Sequence, residues 1–416
     1  MGVVLGLLVN PVAGMGGRVG LHGTDGPARL AEARRRGATP VTGPRTARAL
    51  RRVARRHVPD LTVLAPPGSM GADLADAAGL VTKVLNIGFH DPAYPPVTTA
   101  ADTARAAGMM AEAGAQLVLF AGGDGTAGDV VRAVGSRAPV LGIPSGVKMR
   151  SGVFASNPEA AGDLAAEFLA REDRRVTVVD VVDVVDVADV VDVADVAEVA
   201  HVAEVADVAE VADVVDVVET GQSAGEHLAV VLVGQASVPD LGAGRLPGAK
   251  SSNLLASTAM LEALCRSVAA DLAPGTLYLF GPGSTTGRIL EVLGLPHSPL
   301  GVDAVMDGAL IGQDVSEEAI LALMASAPRA KLVLGVIGGQ GFLLGRGNQQ
   351  LGPRVLARLG PEDLIIVSAV EKLVALQPPL LRVDVGDDEP YSWANGYRRV
   401  RVGPSRFMVM RVSGAA

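Results

Sequence analysis

Cysteine, lysine, aromatic residues and long apolar runs are all scarce in this chain. Its 416 residues include one cysteine, Cys265, so no disulfide framework is possible within it and a reducing, cytoplasmic setting is expected. No apolar run reaches the roughly 18 residues of a bilayer span, so no membrane partner is expected. The opening MGVVLGLLVNP has no basic stretch and reads as a first strand rather than a signal peptide. Only five of the 36 basic residues are lysine (83, 148, 250, 331 and 372), and this arginine bias, with abundant alanine and glycine, resembles a coding preference. The six histidines lack metal-ligand spacing, and there is no GxSxG and no Cys/His pair to support nucleophilic catalysis. The net charge of −9 gives no sign of nucleic acid binding. The length itself points to two domains.

What the chain does have is glycine, placed where apolar runs end. Residues 117–120 read as a buried strand. They lead into Ala121-Gly122-Gly123-Asp124-Gly125-Thr126 and then a helical pattern through Val130, Val131 and Val134. Glycines let backbone N–H groups approach a phosphate, and the helix N-terminus adds positive partial charge. A carboxylate there repels phosphate unless it binds Mg²⁺ or takes a proton from a nucleophile. The bland reading of Asp124 is an Asx-type turn. Residues 3–9 form another apolar run, followed by Asn10-Pro11-Val12-Ala13-Gly14-Met15-Gly16-Gly17. This is the start of a nucleotide-binding α/β unit, although it lacks the GxGxxG dinucleotide fingerprint. Asn10 either orients a phosphate or ribose or caps the turn, and Gly14 and Gly16 join it as candidate nucleotide contacts. A third run, 139–143, ends in Pro144-Ser145-Gly146-Val147-Lys148. Gly146 and Lys148 are candidates there, with a surface lysine as the alternative.

Between these runs, residues 28–36 and 46–56 read as basic helices, 61–64 and 83–87 as strands, and 102–113 as a helix. Strands alternating with helices give a mostly parallel sheet with ligands at the C-terminal strand ends, where the three glycine loops converge. Further on, 228–233, 277–280, 300–305, 331–337 and 364–367 read as strands and 251–270, 285–293, 316–326 and 350–358 as helices. Gly283, Ser284 and Thr285 open one of those helices as a second anion site. Asp303 ends an inner strand. The loop 337–350 holds five glycines around Arg346 with Asn348 close by, which suggests a loop that wraps a ligand, Arg346 pairing with phosphate or carboxylate.

Residues 180–219 place a carboxylate at every third position, thirteen in all, with His201 in the one remaining slot and only valine and alanine between. Without them the net charge of −9 would be +4. Period three matches neither helix nor strand, so no fixed buried face is expected and disorder or a marginal helix follows. The expected layout is a nucleotide-binding domain over 1–175, an acidic repeat without fixed structure over 176–221 and a substrate-binding domain over 222–416.

The stretches NPVAGMGGRVGLHGTDG (10–26), FAGGDGTAGDV (120–130), LGIPSGVKM (141–149), VFASNPEAAG (153–162), GPGSTT (281–286), LGVDAV (300–305) and IGGQGFLLGRGNQQL (337–351) together make the chain similar to the AcoX-type ATP-NAD kinase family. GGDGT after an apolar strand is shared with diacylglycerol and sphingosine kinases and, more distantly, phosphofructokinases. The chain departs from the family pattern at Gly128, where Arg is usual, at Ser145 and Arg150, and at Asp384-Val385-Gly386-Asp387, where DTGD is usual. The resemblance implies an α/β fold with a Rossmann-like parallel-sheet domain and a second α/β-rich domain. It implies transfer of the ATP γ-phosphate to the 2′-hydroxyl of NAD, with Asp124 activating that hydroxyl directly or through Mg²⁺. Gly122, Gly123, Gly125 and Thr126 would line the phosphates, with Lys148 and Arg346 as cations. Small-molecule nucleotides are then the partners, and a homo-oligomer is expected. The alternatives are a kinase of another small molecule or lipid, or a non-enzymatic nucleotide-binding regulator.

Overall fold

Val3–Val9 contains no charged residue and forms β1, the middle strand of a five-stranded sheet. The structure, a computed structural model, describes residues 2–21, 23–24, 26–88, 98–147, 149–186, 228–241, 258–337, 340–385 and 393–414. After β1 come α1 (Pro27–Arg35), α2 (Thr42–Arg55), β2 (Leu61–Ala65), α3 (Ala72–Ala77) and β3 (Thr82–Val84). Then follow α4 (Ala100–Glu112), β4 (Leu117–Gly122), α5 (Asp124–Val134), β5 (Val140–Pro144) and α6 (Pro158–Ala170). The strands lie in the order β3-β2-β1-β4-β5, all parallel. Such a sheet is covered on both faces, which is why its strands read as unbroken apolar runs. Leu5, Leu7 and Val9 pack with residues of α2 and α6, while Leu8 and Phe120 pack with residues of α4 and α5.

From β1 the chain fills one side of the sheet with β2 and β3, then returns to place β4 on the other side. The loops after β1 and β4 therefore diverge and open a crevice at the C-terminal strand ends, the usual ligand position in such sheets.

The acidic repeat begins differently from the expectation of no fixed structure. Its first residues belong to β6 (Val176–Asp186), which pairs antiparallel with β7 (Leu228–Pro239). The partner strand supplies the order that the period-three pattern lacks. Val181 is buried in the N-terminal core with Ala236 and Val238, while Asp180 is exposed and accepts a hydrogen bond from Gln235 Nε2 at 3.2 Å. β7 thus packs with the N-terminal core, which removes it from the unit expected over 222–416. Residues 187–227, most of the repeat, lie outside the described residues.

The C-terminal domain contains α7 (Thr258–Ala270), β8 (Leu277–Phe280), α8 (Ser284–Val292), β9 (Asp303–Met306), β10 (Ala309–Gly312), α9 (Glu317–Ser326) and β11 (Ala330–Gly335). It continues with β12 (Phe342–Leu344), α10 (Pro353–Leu356), β13 (Leu364–Val367), α11 (Val370–Val374), β14 (Leu380–Val383), β15 (Gly396–Arg401) and β16 (Phe407–Ser413). Its mixed nine-stranded sheet has the order β10-β9-β8-β11-β13-β15-β16-β14-β12. Leu279, Leu332, Ile366 and Val400 pack on one face, and Phe280, Val333 and Val367 pack with α7 and α8 on the other. The fold is thus α/β, a parallel-sheet domain followed by a mixed-sheet domain. No described helix is long and apolar enough to cross a membrane.

Candidate active site

Three glycine loops meet at the crevice. Asn10 Nδ2 donates to Thr126 Oγ1 at 3.1 Å, and the Asn10 N–H donates to Ala121 O at 3.0 Å, so the loops after β1 and β4 are tied across the opening. Asn10 Oδ1 also accepts from the Val12 N–H at 3.2 Å, so the turn-capping and bridging roles coexist. The Ser145 and Gly146 N–H groups donate to Gly122 O at 3.0 and 2.8 Å, which brings in the loop after β5. Gly14 has φ +75°, and a Cβ there would lie 1.9 Å from Ser145 O. Only glycine lets these two loops touch. Gly16 serves its own loop, since its Cβ would lie 2.9 Å from Leu21 O. Gly123 caps α5 and Gly125 is exposed, leaving this part of the loop open to a ligand. Lys148 lies outside the described residues.

Asp124 is the first residue of α5 and only 2% exposed. Its carboxylate accepts from the Arg150 N–H (3.0 Å to Oδ1, 2.8 Å to Oδ2), the Ser151 N–H (3.0 Å to Oδ1) and Ser151 Oγ (2.8 Å to Oδ1). Burial pushes its acidity toward the protonated form; the Ser151 and Arg150 N–H groups, the Ser151 hydroxyl and the Arg150 charge oppose that, and burial prevails. An ionised carboxylate offers about four accepting positions. Oδ1 is filled, while among the described residues Oδ2 has a single partner and keeps a position free. Among the described residues no group of three or more His, Cys, Asp or Glu side chains could hold a metal. Asp124 therefore belongs to no such described group that could hold a resident Mg²⁺.

Gly128, where the resemblance expects arginine, lies one turn further along α5. A Cβ at this position would already lie 3.2 Å from Val233 Cγ1 of β7, so the hairpin occupies the space above it.

The C-terminal domain reaches the same place through residues 340–350. Gln340 Nε2 donates to Met149 O at 3.1 Å, and Gln349 Nε2 to Gly146 O and Val147 O at 3.2 and 3.3 Å. Arg346 Nη2 donates to Ala155 O at 2.7 Å, and its guanidinium lies 4.2 Å above the Phe342 ring. The loop expected to wrap a ligand thus holds the N-terminal segment 146–155. Arg346 is buried, which lowers its pKa to about 10; the charge of Asp384 raises it, that of Arg45 lowers it and that of Asp124 raises it. Its Nε and Nη1 have no hydrogen-bond partner among the described residues. Asn348 uses both ends of its amide inside the loop, accepting from the Gly345 N–H and donating to Leu343 O, each at 2.8 Å. Arg45 of α2 pairs with Asp384, the residue after β14, and adds a second tie between the domains. The sequence reading missed Gln340, Gln349, Ser151 and the Arg45–Asp384 pair.

A cleft beside these contacts is lined by Arg150, Gly283, Leu300, Gln340, Arg346 and Asn348, among others. Gly283 therefore reaches it. Ser284, which is exposed, and Thr285, which is buried, do not line it. Asp303, the other candidate from this domain, does not line this cleft either. Its carboxylate accepts from the Ser298 N–H (2.6 Å), Ser298 Oγ (2.7 Å) and the Asp314 N–H (3.0 Å), fixing the turn before β9.

Two family models match the chain: the ATP-NAD kinase N-terminal domain over residues 6–173 and the ATP-NAD kinase C-terminal domain over residues 275–412. They cover the parallel-sheet domain and the mixed-sheet domain, and they are the domains of a phosphotransferase. No curated protein and no solved structure matches the chain. With both domain models matched in order along the same polypeptide, the chain belongs to the ATP-NAD kinase family.

Proposed function

We propose that the protein transfers the γ-phosphoryl group of ATP to the 2′-hydroxyl of NAD, giving NADP and ADP. The observation that carries this reading is Asp124: a buried carboxylate with one accepting position open among the described residues, at the helix start where the glycine loops meet. Burial has already moved it toward holding a proton, which suits a base that must take one from a hydroxyl. The 2′-oxygen forms its bond to the γ-phosphorus, the bond from that phosphorus to the β-bridging oxygen breaks, and the hydroxyl proton passes to Asp124 Oδ2. The other parts only need to position and neutralise, as in phosphoryl transfer generally. The free backbone around Gly123, Gly125 and Thr126 suits the phosphates of magnesium-bound ATP. The cleft at Gly283 and Arg346 suits the acceptor. The particular 337–351 stretch supports an AcoX-type member.

The test is purified full-length protein with ATP, Mg²⁺ and NAD, with NADP scored by an NADP-specific dehydrogenase. NADP accumulation is expected. Folded protein that binds ATP but makes no NADP would overturn the reading.

A further inference from the structure

Asp124 is gripped by a strap, residues 145–152, whose described residues belong to no strand or helix. Both domains and the hairpin hold the strap in place. Its start donates to Gly122 O, Gln340 and Gln349 take the carbonyls of Met149, Gly146 and Val147, and the Gly152 N–H donates to Asp180 O at 3.1 Å. Ser151 is the point where these restraints reach the carboxylate. Its Oγ lies 2.8 Å from Asp124 Oδ1 and 2.9 Å from Val182 O of β6, and it accepts from the Val182 N–H at 3.1 Å.

We propose that Ser151 is a positioning residue that keeps Asp124 ionised and leaves Oδ2 as its reacting oxygen, with Gln340 and Gln349 holding the strap that carries it. The assignment of a reacting oxygen rests on the kinase reading above; the control of the charge does not. A hydroxyl has a single proton to give. When Asp124 is ionised the Ser151 proton points to Oδ1. When Asp124 is protonated the hydroxyl turns to Val182 O, and the support for the charge is lost. Among the described residues, the charged groups facing Asp124 are Arg150 on the strap and Arg346 from the C-terminal loop. On the hairpin, Asp180 is exposed and bonded to Gln235. Burial works against the charge, and the strap's hydrogen bonds to the charged form work for it.

The experiment is a pH titration of the full-length protein labelled with ¹³C at the aspartate carboxyl carbon, read by NMR, with Asp124→Asn identifying the Asp124 signal. Ser151→Ala is expected to raise the Asp124 midpoint by about one pH unit, the scale of one hydrogen bond to a charged group. Ser151→Thr, which keeps the hydroxyl, should retain the wild-type midpoint. Gln349→Ala, remote from the carboxylate, should give a smaller rise. If Ser151→Ala does not fold, Gln349→Ala decides. A midpoint unchanged in Ser151→Ala, or in Gln349→Ala where Ser151→Ala does not fold, would overturn the proposal. Where NADP forms, the acid limb of kcat/KM should move by the same amount as the midpoint. Absence of NADP with a shifted midpoint would reject only the kinase reading.

Discussion

Two glycine-rich loops follow strands in this protein and do opposite things. The loop 122–126 keeps its side chains short, ties itself to Asn10 and the strap, and leaves Gly123 and Gly125 accessible. The loop 340–350 carries Gln340, Arg346 and Gln349 and spends them on carbonyls of the other domain. Each stretch holds three glycines, so their number does not say whether a loop holds a ligand or protein. The side chains between the glycines decide it.

The comparison is most easily broken at its first member. Asp124→Asn is isosteric, and turnover should fall at least ~100-fold, the usual scale for losing an acid–base group, with circular dichroism and ATP affinity near wild type. Normal turnover would make Asp124 a structural anchor for the strap alone.

The second member is tested by Arg346→Ala. A gripping loop predicts a loss of stability of about 3 kcal/mol, because the change removes a buried charge beside Asp384 and its bond to Ala155 O. Thermal melting reads this directly. An unchanged melting temperature with a raised nucleotide KM would return the loop to ligand binding.

Much of this arrangement could be read from the sequence. β1, β4 and β5 are buried on both faces and announce themselves as apolar runs, and the glycines that follow them mark the crevice. The strap's role could not be read, because Ser151 and Gln349 look like ordinary polar residues until folding brings them to partners far along the chain, 203 residues away for Gln349 and Gly146. Asp303 shows that a carboxylate at a strand end serves a turn as readily as a ligand. β15 and β16 carried a signal that went unread: GYRRVR and FMVMRVS alternate, with Val400, Met410 and Val412 buried and Tyr397 and Val409 exposed.

A smaller effect sharpens the contact between residues 17–19 and α9. Glu317 is buried, its Oε1 has no hydrogen-bond partner among the described residues, and burial raises its pKa against the pull of Arg18 and Arg354. A raised carboxyl pKa contributes stability that is fully present below the unfolded value, about 4.3, and is lost as pH rises through the folded one. Glu317→Gln should therefore melt higher than wild type at pH 7.5, with the gap closing by about pH 4. A gap independent of pH would show that the carboxyl charge is not the cause.

The smallest effect is expected from replacing residues 187–227 with a short Gly-Ser bridge. Stability should change by less than about 0.5 kcal/mol, with NADP formation retained. A deletion starting at Asp183 is different. It removes residues of β6 that pair with Leu228–Val231 and lie next to Val182, the strand's link to Ser151. It should destabilise the protein. Equal behaviour of the two deletions would detach the hairpin from the site.

The contrast between the loops is tested most directly by amide hydrogen exchange on the full-length protein, with and without magnesium-bound ATP. ATP is predicted to slow exchange at residues 123–126 and to leave residues 340–350, already engaged with the strap, unchanged. Protection appearing in 340–350 while 123–126 stays as it was would contradict the account.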